Sequence, residues 1–255
     1  MEDYRGKALK ITGRDLLDSF SFLVNQENTH SLLIGAIAGS GSIGEARGEL
    51  VAALSIYADE LAQIMGRSWP DYVQHFQDNA RPDLEEFSDK VQPLVPEIQE
   101  ALLRIGSLLN LQWHERYVVY IVEPTSMDFK PCGDALYRLG AVAEAHLDLG
   151  NKDVVDLVVH ELTHSTFDLT ILKLVHERLR KDFEYVDEAI VFLIVDAVIH
   201  NLKASPKPEG YEDQRSRKVA FYAAKFWDKW QERLQSKRKL EPFEDFLMKL
   251  LSDES

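Results

Sequence analysis

The sequence predicts an α+β protein, mostly helical, with a small sheet placed before a helix that carries two histidines four residues apart. Three observations predict this class. Long stretches repeat their apolar residues at helical spacing, and two short stretches switch to β-branched and aromatic residues or to alternation. Gly150-Asn151 then marks the point where the helical period returns. The 255 residues, 45% hydrophobic and 28% charged, suffice for one compact core or two small ones.

The elements follow in order. From Gly13 to about Asn110 the pattern is helical, with apolar positions at Leu16, Leu17, Phe20 and Leu23, from Leu50 to Met65, and from Val91 to Leu109. Pro82, Pro93 and Pro96 limit where the last of these helices begins or bends, because proline lacks the amide hydrogen that a helix interior needs. Arg116 to Val122 (RYVVYIV) and Gly140 to Leu149 (GAVAEAHLDL) read as strands. The helical period resumes at Asn151, the expected N-cap, and continues to about Leu202. A loop, Ser205 to Gly210 (SPKPEG), precedes a final helical stretch. The expected organisation is a helical region over 1–110, a core with the sheet and two functional helices over 111–204, and a helical C-terminal region over 205–255, together forming one compact unit.

Composition narrows the function. With Lys+Arg 29 against Asp+Glu 43 the net charge is -14, which repels phosphate backbones, so nucleic acid is not an expected partner. The longest apolar stretches, Ser31 to Ala38 and Ala189 to Val195, fall short of the roughly 20 residues of a bilayer-spanning helix, so no membrane partner is expected either. The single cysteine, Cys132, and a start (MEDYRGKALK) without the features of a secretory signal predict a reducing compartment, the cytoplasm.

The segment Val154 to His164 (VVDLVVHELTH) carries the chemistry, because it holds His160-Glu161-Leu162-Thr163-His164, an HExxH pattern. Residues four apart on a helix share a face, so His160 and His164 can offer two imidazole nitrogens to one zinc ion. Glu161 lies about 100° round the helix from His160 and flanks such an ion, where a carboxylate can take a proton from an activated water. Val155, Val158 and Leu162 form a stripe nearly opposite the histidines, which predicts one buried side and one side facing a cleft.

A third ligand decides the subclass. The extended pattern HExxHxxGxxH would need glycine and histidine where Phe167 and Thr170 stand, which excludes that group. A downstream carboxylate remains, and Glu188, 24 residues beyond His164 at the start of the apolar run AIVFLIV, is the candidate. An unpaired carboxylate at the tip of a buried helix is expensive, and a metal ion is one partner that removes the cost. Asp187 and Glu184 substitute if the helix phase differs, and the competing reading leaves Glu188 as a solvated first-turn residue. Asp156 and Asp168, one turn before His160 and one turn after His164, are candidates to accept a ligand histidine's other ring proton. Tyr185, His200 and Tyr211 are candidates by type for stabilising an oxyanion.

A strand, an HExxH helix and a second helix opening with a glutamate resemble the gluzincin branch of zinc metallopeptidases, the thermolysin-like group. The resemblance covers about Gly140 to Leu202 and is carried by His160, Glu161, His164 and Glu188. It implies a zincin-like fold in which His160, His164 and Glu188 bind Zn2+, Glu161 is the general base, and the preceding strand aligns a peptide or protein substrate. The interval to Glu188 is longer than usual for that group. The alternatives are a metal-binding scaffold without turnover, which would have no use for Glu161, and a zinc hydrolase of non-peptide amides.

Other features carry less. Gly39-Ser40-Gly41-Ser42-Ile43-Gly44 matches GxGxxG, but no second strand follows with the acidic residue that a dinucleotide site needs, so an inter-helix loop is expected. Gly140-Ala141-Val142-Ala143-Glu144 faintly resembles an aminopeptidase GxMEN segment without its methionine and asparagine, which leaves Glu144 and His146 as edge-strand residues. In the basic segment 215–239, Val219, Tyr222, Ala223, Phe226 and Trp230 form a core-facing stripe, with Lys225, Lys229 and Arg233 on a solvated face. Cys132, after Pro131, is expected in a loop.

Overall fold

A computed structural model of the chain describes residues 70, 73, 74, 76–111, 113, 117–124, 133–136, 140–175, 177–201, 203–235 and 241–252. The helical pattern from Gly13 to Met65, the Gly39–Gly44 glycines and Cys132 lie outside these residues. The protein is α+β: mostly helical, with a three-stranded sheet. It divides into two compact units, interleaved in sequence. One takes the chain up to Gln92 with Val119–Leu136 and Ala141–Leu149; the other takes Pro93–Val118, Tyr137–Gly140 and Gly150–Ser255.

In the first unit a π-helical turn, Phe76–Ala80, leads into α1 (Arg81–Val91), which has Pro82 in its first turn and buries Phe87 and Val91. The strands are β1 (Val118–Val122), β2 (Gly133–Leu136) and β3 (Gly140–Glu144), in the order β1-β3-β2. The strand expected over Gly140 to Leu149 stops at Glu144, because the chain then turns on itself: His146 N–H donates to Glu144 O at 3.0 Å and Leu149 N–H to His146 O at 3.2 Å. Lys90 of α1 donates to the Leu147 carbonyl at 2.9 Å and fixes that turn. Glu144 therefore sits on the middle strand, not on an edge, and His146 lies beyond the strand's end. Both are buried, with His146 Nε2 3.0 Å from Glu144 Oε2.

The second unit contains α2 (Val95–Leu109), α3 (Asn151–Leu174), a 3-10 turn at Glu177–Asp182, α4 (Phe183–Val195), a π-helical turn at Asp196–His200, α5 (Gln214–Gln235) and α6 (Phe243–Ser252). Gly140, which this unit also includes, has φ 158°, and a Cβ there would collide with the Val118 carbonyl, so only glycine fits. Pro96 stands in the first turn of α2, and Asn110 ends that helix in the left-handed conformation at φ 53°. The N-cap of α3 is Gly150, not Asn151, since the Asp153 carboxylate accepts the Gly150 N–H at 3.2 Å and closes the first turn from inside. The two helices expected between Asn151 and Leu202 are separated by an extended Val175 and the 3-10 turn.

Helix α4 organises this unit. It packs against both α3 and α5, and Val186, Ala189, Ile190, Val191, Leu193, Ile194 and Val195 are all buried, so it is apolar nearly all round, as a central helix must be. Each of these valine, leucine and isoleucine side chains contributes roughly 1.5–3 kcal/mol of transfer free energy. α3 meets it with Val154, Val155, Val158, Val159 and Leu162 buried, and Phe167, which occupies the excluded glycine position, packs on Phe243 of α6 with ring centroids 4.7 Å apart. In α5 the stripe Ala220, Tyr222, Ala223, Phe226 and Trp230 is buried. Arg233 departs from the expected solvated face. It is buried against the rings of Phe243 and Phe246 and donates to the carbonyls of Leu109 and Glu241 at 3.0 and 3.2 Å, satisfying the open end of α2.

Asp182, at the N-cap of α4, joins that helix to α5 by accepting from Lys218 Nζ at 3.1 Å and Tyr222 Oη at 2.9 Å. Burial alone would raise its carboxyl, but these hydrogen bonds and the lysine charge outweigh it and hold it below its usual value. The stability this provides is full above the ordinary carboxyl value of about 4 and is lost as the pH falls through the lower folded value. Asp182→Ala should therefore cost about 1–3 kcal/mol at pH 7, with the deficit shrinking below about pH 4. Urea unfolding at the two pH values measures it, and a deficit independent of pH would show that the charged contacts do not contribute.

Candidate metal centre

Helical spacing aligns three side chains on α3, Asp156, His160 and His164, each one turn from the next. Across this stripe run α4 and the π-helical turn that continues it. Asp187 and Glu188 stand at the histidines, and His200 stands at Asp156. The two elements therefore pass in opposite directions, with the polar start of α4 at the C-terminal part of the stripe.

Nε2 of His160 and Nε2 of His164 are 3.0 Å apart, with ring planes inclined at 64°. Glu188 Oε2 lies 3.4 Å from the first nitrogen and 3.7 Å from the second. A tetrahedral zinc ion with bonds of about 2.0–2.1 Å needs its donor atoms about 3.3 Å apart, and these three separations straddle that value. The donor set, two neutral imidazoles and one carboxylate, suits the same ion. Among the described residues this is the group whose ligand atoms converge, all within 4.8 Å of one another, and Glu161 is not part of it. Glu161 itself is buried beside His160.

The outer contacts orient the donors. His164 Nδ1 lies 2.9 Å from Asp187 Oδ2, both side chains being buried. With a metal bound, that contact would hold the proton on Nδ1 and leave the Nε2 lone pair for the ion, the arrangement a metal ligand requires. Asp187 Oδ1 is buried without a hydrogen-bond partner, so this carboxylate is held for its one contact with the histidine. On Glu188, burial pushes the carboxyl up, but hydrogen bonding from His160 and His164, aided by their charge, holds it well below its usual range. Glu188 Oε1 accepts from Arg215 Nη2 at 3.1 Å. Further along, burial pushes the Asp196 carboxyl up to about 6, with the Asp156 charge adding to the shift and His200 and His160 opposing it.

The remaining sequence candidates fall as follows. Asp156 accepts from His200 Nε2 at 3.0 Å and so engages a histidine outside the cluster, while the side chain of Asp168 lies outside the described set. Tyr185 is half-buried, with the Lys218 ammonium 4.4 Å from its ring centroid. Tyr211 follows the 3-10 turn Pro208–Gly210. Glu184 is exposed and pairs with Arg215 at 3.0 Å. Sequence reasoning did not single out Asp187 as the carboxylate behind His164, nor Arg215 as a contact of Glu188. The Asp187-Glu188 pair was visible, but its division of labour depends on how α4 is rotated against α3. Arg215, 27 residues on, gave no local signal.

No protein family, curated protein or solved structure matches the chain.

The geometry ranks the acidic residues at the start of α4. Glu188→Gln should weaken zinc binding most, Asp187→Asn by about 10–100-fold through loss of the charge behind His164, and Glu184→Gln little. Competition titration against a chromogenic zinc chelator gives the order, and a larger effect at Glu184 than at Asp187 would contradict the placement.

Proposed function

We propose that the protein is a zinc-dependent peptidase with a zincin-like core of gluzincin type, acting on a peptide or protein substrate. The observation that carries the reading is the convergence of His160 Nε2, His164 Nε2 and Glu188 Oε2 at separations close to tetrahedral, with Glu161 next to His160 and outside that group. A scaffold that only held metal would need the three donors but not Glu161.

His160, His164 and Glu188 would hold the ion, and Asp187 would keep His164 in the tautomer that binds. Zinc with three protein donors would supply a Lewis acid that polarises a carbonyl and lowers the pKa of a water to about 7. The chain's own work is proton transfer and orientation. The Glu161 carboxylate accepts the proton of the attacking water and delivers it to the leaving nitrogen, so one group serves as base and then as acid. The Glu161 side chain is buried, which restricts its rotamers and supports a fixed position for this transfer. Of the oxyanion candidates, His200 has its Nε2 engaged by Asp156 at 3.0 Å and could donate only from a protonated Nδ1, and Tyr185 has the Lys218 ammonium over its ring.

Protein purified without added metal should contain or take up about one zinc per chain, and His160→Ala or His164→Ala should lose it. Glu161→Gln should keep the zinc and the fold while peptide cleavage falls by about 10²–10⁴-fold or more. Elemental analysis paired with a peptide-library cleavage assay reads both. Wild-type protein that takes up no zinc, or a Glu161→Gln variant with undiminished cleavage, would overturn the reading.

A further inference from the structure

Glu184 and Glu188 lie four residues apart on α4 and share a face, a like-charge arrangement that by itself opposes helix formation. One atom relieves it. Nη2 of Arg215, the second residue of α5, lies 3.0 Å from Glu184 Oε1 and 3.1 Å from Glu188 Oε1. The two oxygens of Glu188 thus have separate tasks. Oε1 is retained by the guanidinium, and Oε2 faces the imidazoles at 3.4 and 3.7 Å. A carboxylate free to rotate about its last torsion can offer both oxygens to a metal ion; one with Oε1 engaged offers a single oxygen.

We propose that Arg215 is a positioning residue that fixes Glu188 as a one-oxygen metal ligand, making the first turn of α5 part of the metal centre. The inference rests on the metal-centre reading above. Its chemical consequence is coordination number. Two imidazoles and one carboxylate oxygen leave a fourth tetrahedral position open for a reactant, while a two-oxygen Glu188 would fill it. Arginine suits the task better than lysine because its planar, always-charged fork holds direction as well as charge. The Arg215 side chain is 60% exposed, and an exposed ion pair adds little to stability, so the effect falls on ligand geometry and not on folding.

The test loads wild type, Arg215→Ala, Arg215→Lys and Glu184→Gln with cobalt(II), whose visible absorption distinguishes four- from five-coordination, and measures zinc affinity by chelator competition. Wild type should give the strong bands of a four-coordinate ion. Arg215→Ala should bind zinc about 10–100-fold more weakly and shift the cobalt spectrum toward higher coordination. Arg215→Lys should recover part of the affinity, and Glu184→Gln should stay close to wild type because the Arg215–Glu188 contact remains. Metal-free Arg215→Ala should unfold near the wild-type temperature. Wild type that binds normally alongside an Arg215→Ala protein with unchanged affinity and spectrum would overturn this inference and leave the metal centre standing. A metal-free Arg215→Ala protein that melts far below wild type would overturn it as well, since the pair would then be a stabilising contact. Wild type that binds neither zinc nor cobalt would overturn the metal-centre reading itself.

Discussion

Burial of α4 on nearly every side constrains where its few charged residues can stand. From Ala189 to Val195 every described position but Phe192 is buried, so rotation of this helix against α3 and α5 would drive carboxylates into an apolar interior. The helix is locked with Asp187 and Glu188 at the edge of the packed layer, opposite the His160 and His164 face of α3. The proposed ligand geometry follows from this packing. The helices are placed by hydrophobic contact, and the donors are carried into position by the 3.6-residue period of each helix.

The polar layer then divides the work among adjacent carboxylates according to environment. Asp187 is buried and serves one imidazole; Glu188, half-buried one residue on, has one oxygen toward the imidazoles and one toward Arg215; Glu184, a turn earlier, is at the surface. Three acids within five residues would repel one another in isolation, and each here has a cationic or imidazole partner. The same logic extends along the α3 stripe, where Asp156 engages His200 and the partly buried Asp196 carboxyl is raised toward neutral pH.

The helical period and the HExxH spacing were readable because both are local: they require only that consecutive residues share one helix. The end of α2 near Asn110, strand β1 and the approximate start of α3 were likewise legible from turn residues and composition. What failed was decided at longer range. Glu144 and His146 read as edge residues because alternation resembles a half-exposed strand, yet β3 is covered on both faces and lies between its neighbours. Arg233 read as solvated because its charge falls at the spacing of Lys225 and Lys229; the aromatic rings of α6 and the open carbonyls of Leu109 and Glu241 bury it. At the candidate site the three donors followed from spacing and residue type, while Asp187 and Arg215 depended on how α4 is rotated and where α5 begins.

The central claim is that two imidazole nitrogens and one carboxylate oxygen from α3 and α4 form a single zinc centre. X-ray absorption at the zinc edge of the metal-loaded 255-residue chain tests it most directly, because it reports ligand type and number without reference to activity. The account predicts about four light-atom neighbours at about 2.0–2.1 Å, two of them with the multiple-scattering signature of imidazole, and no sulfur. A sulfur neighbour at about 2.3 Å would place the ion at Cys132, and a shell without imidazole would place it on surface carboxylates. Either would contradict the account.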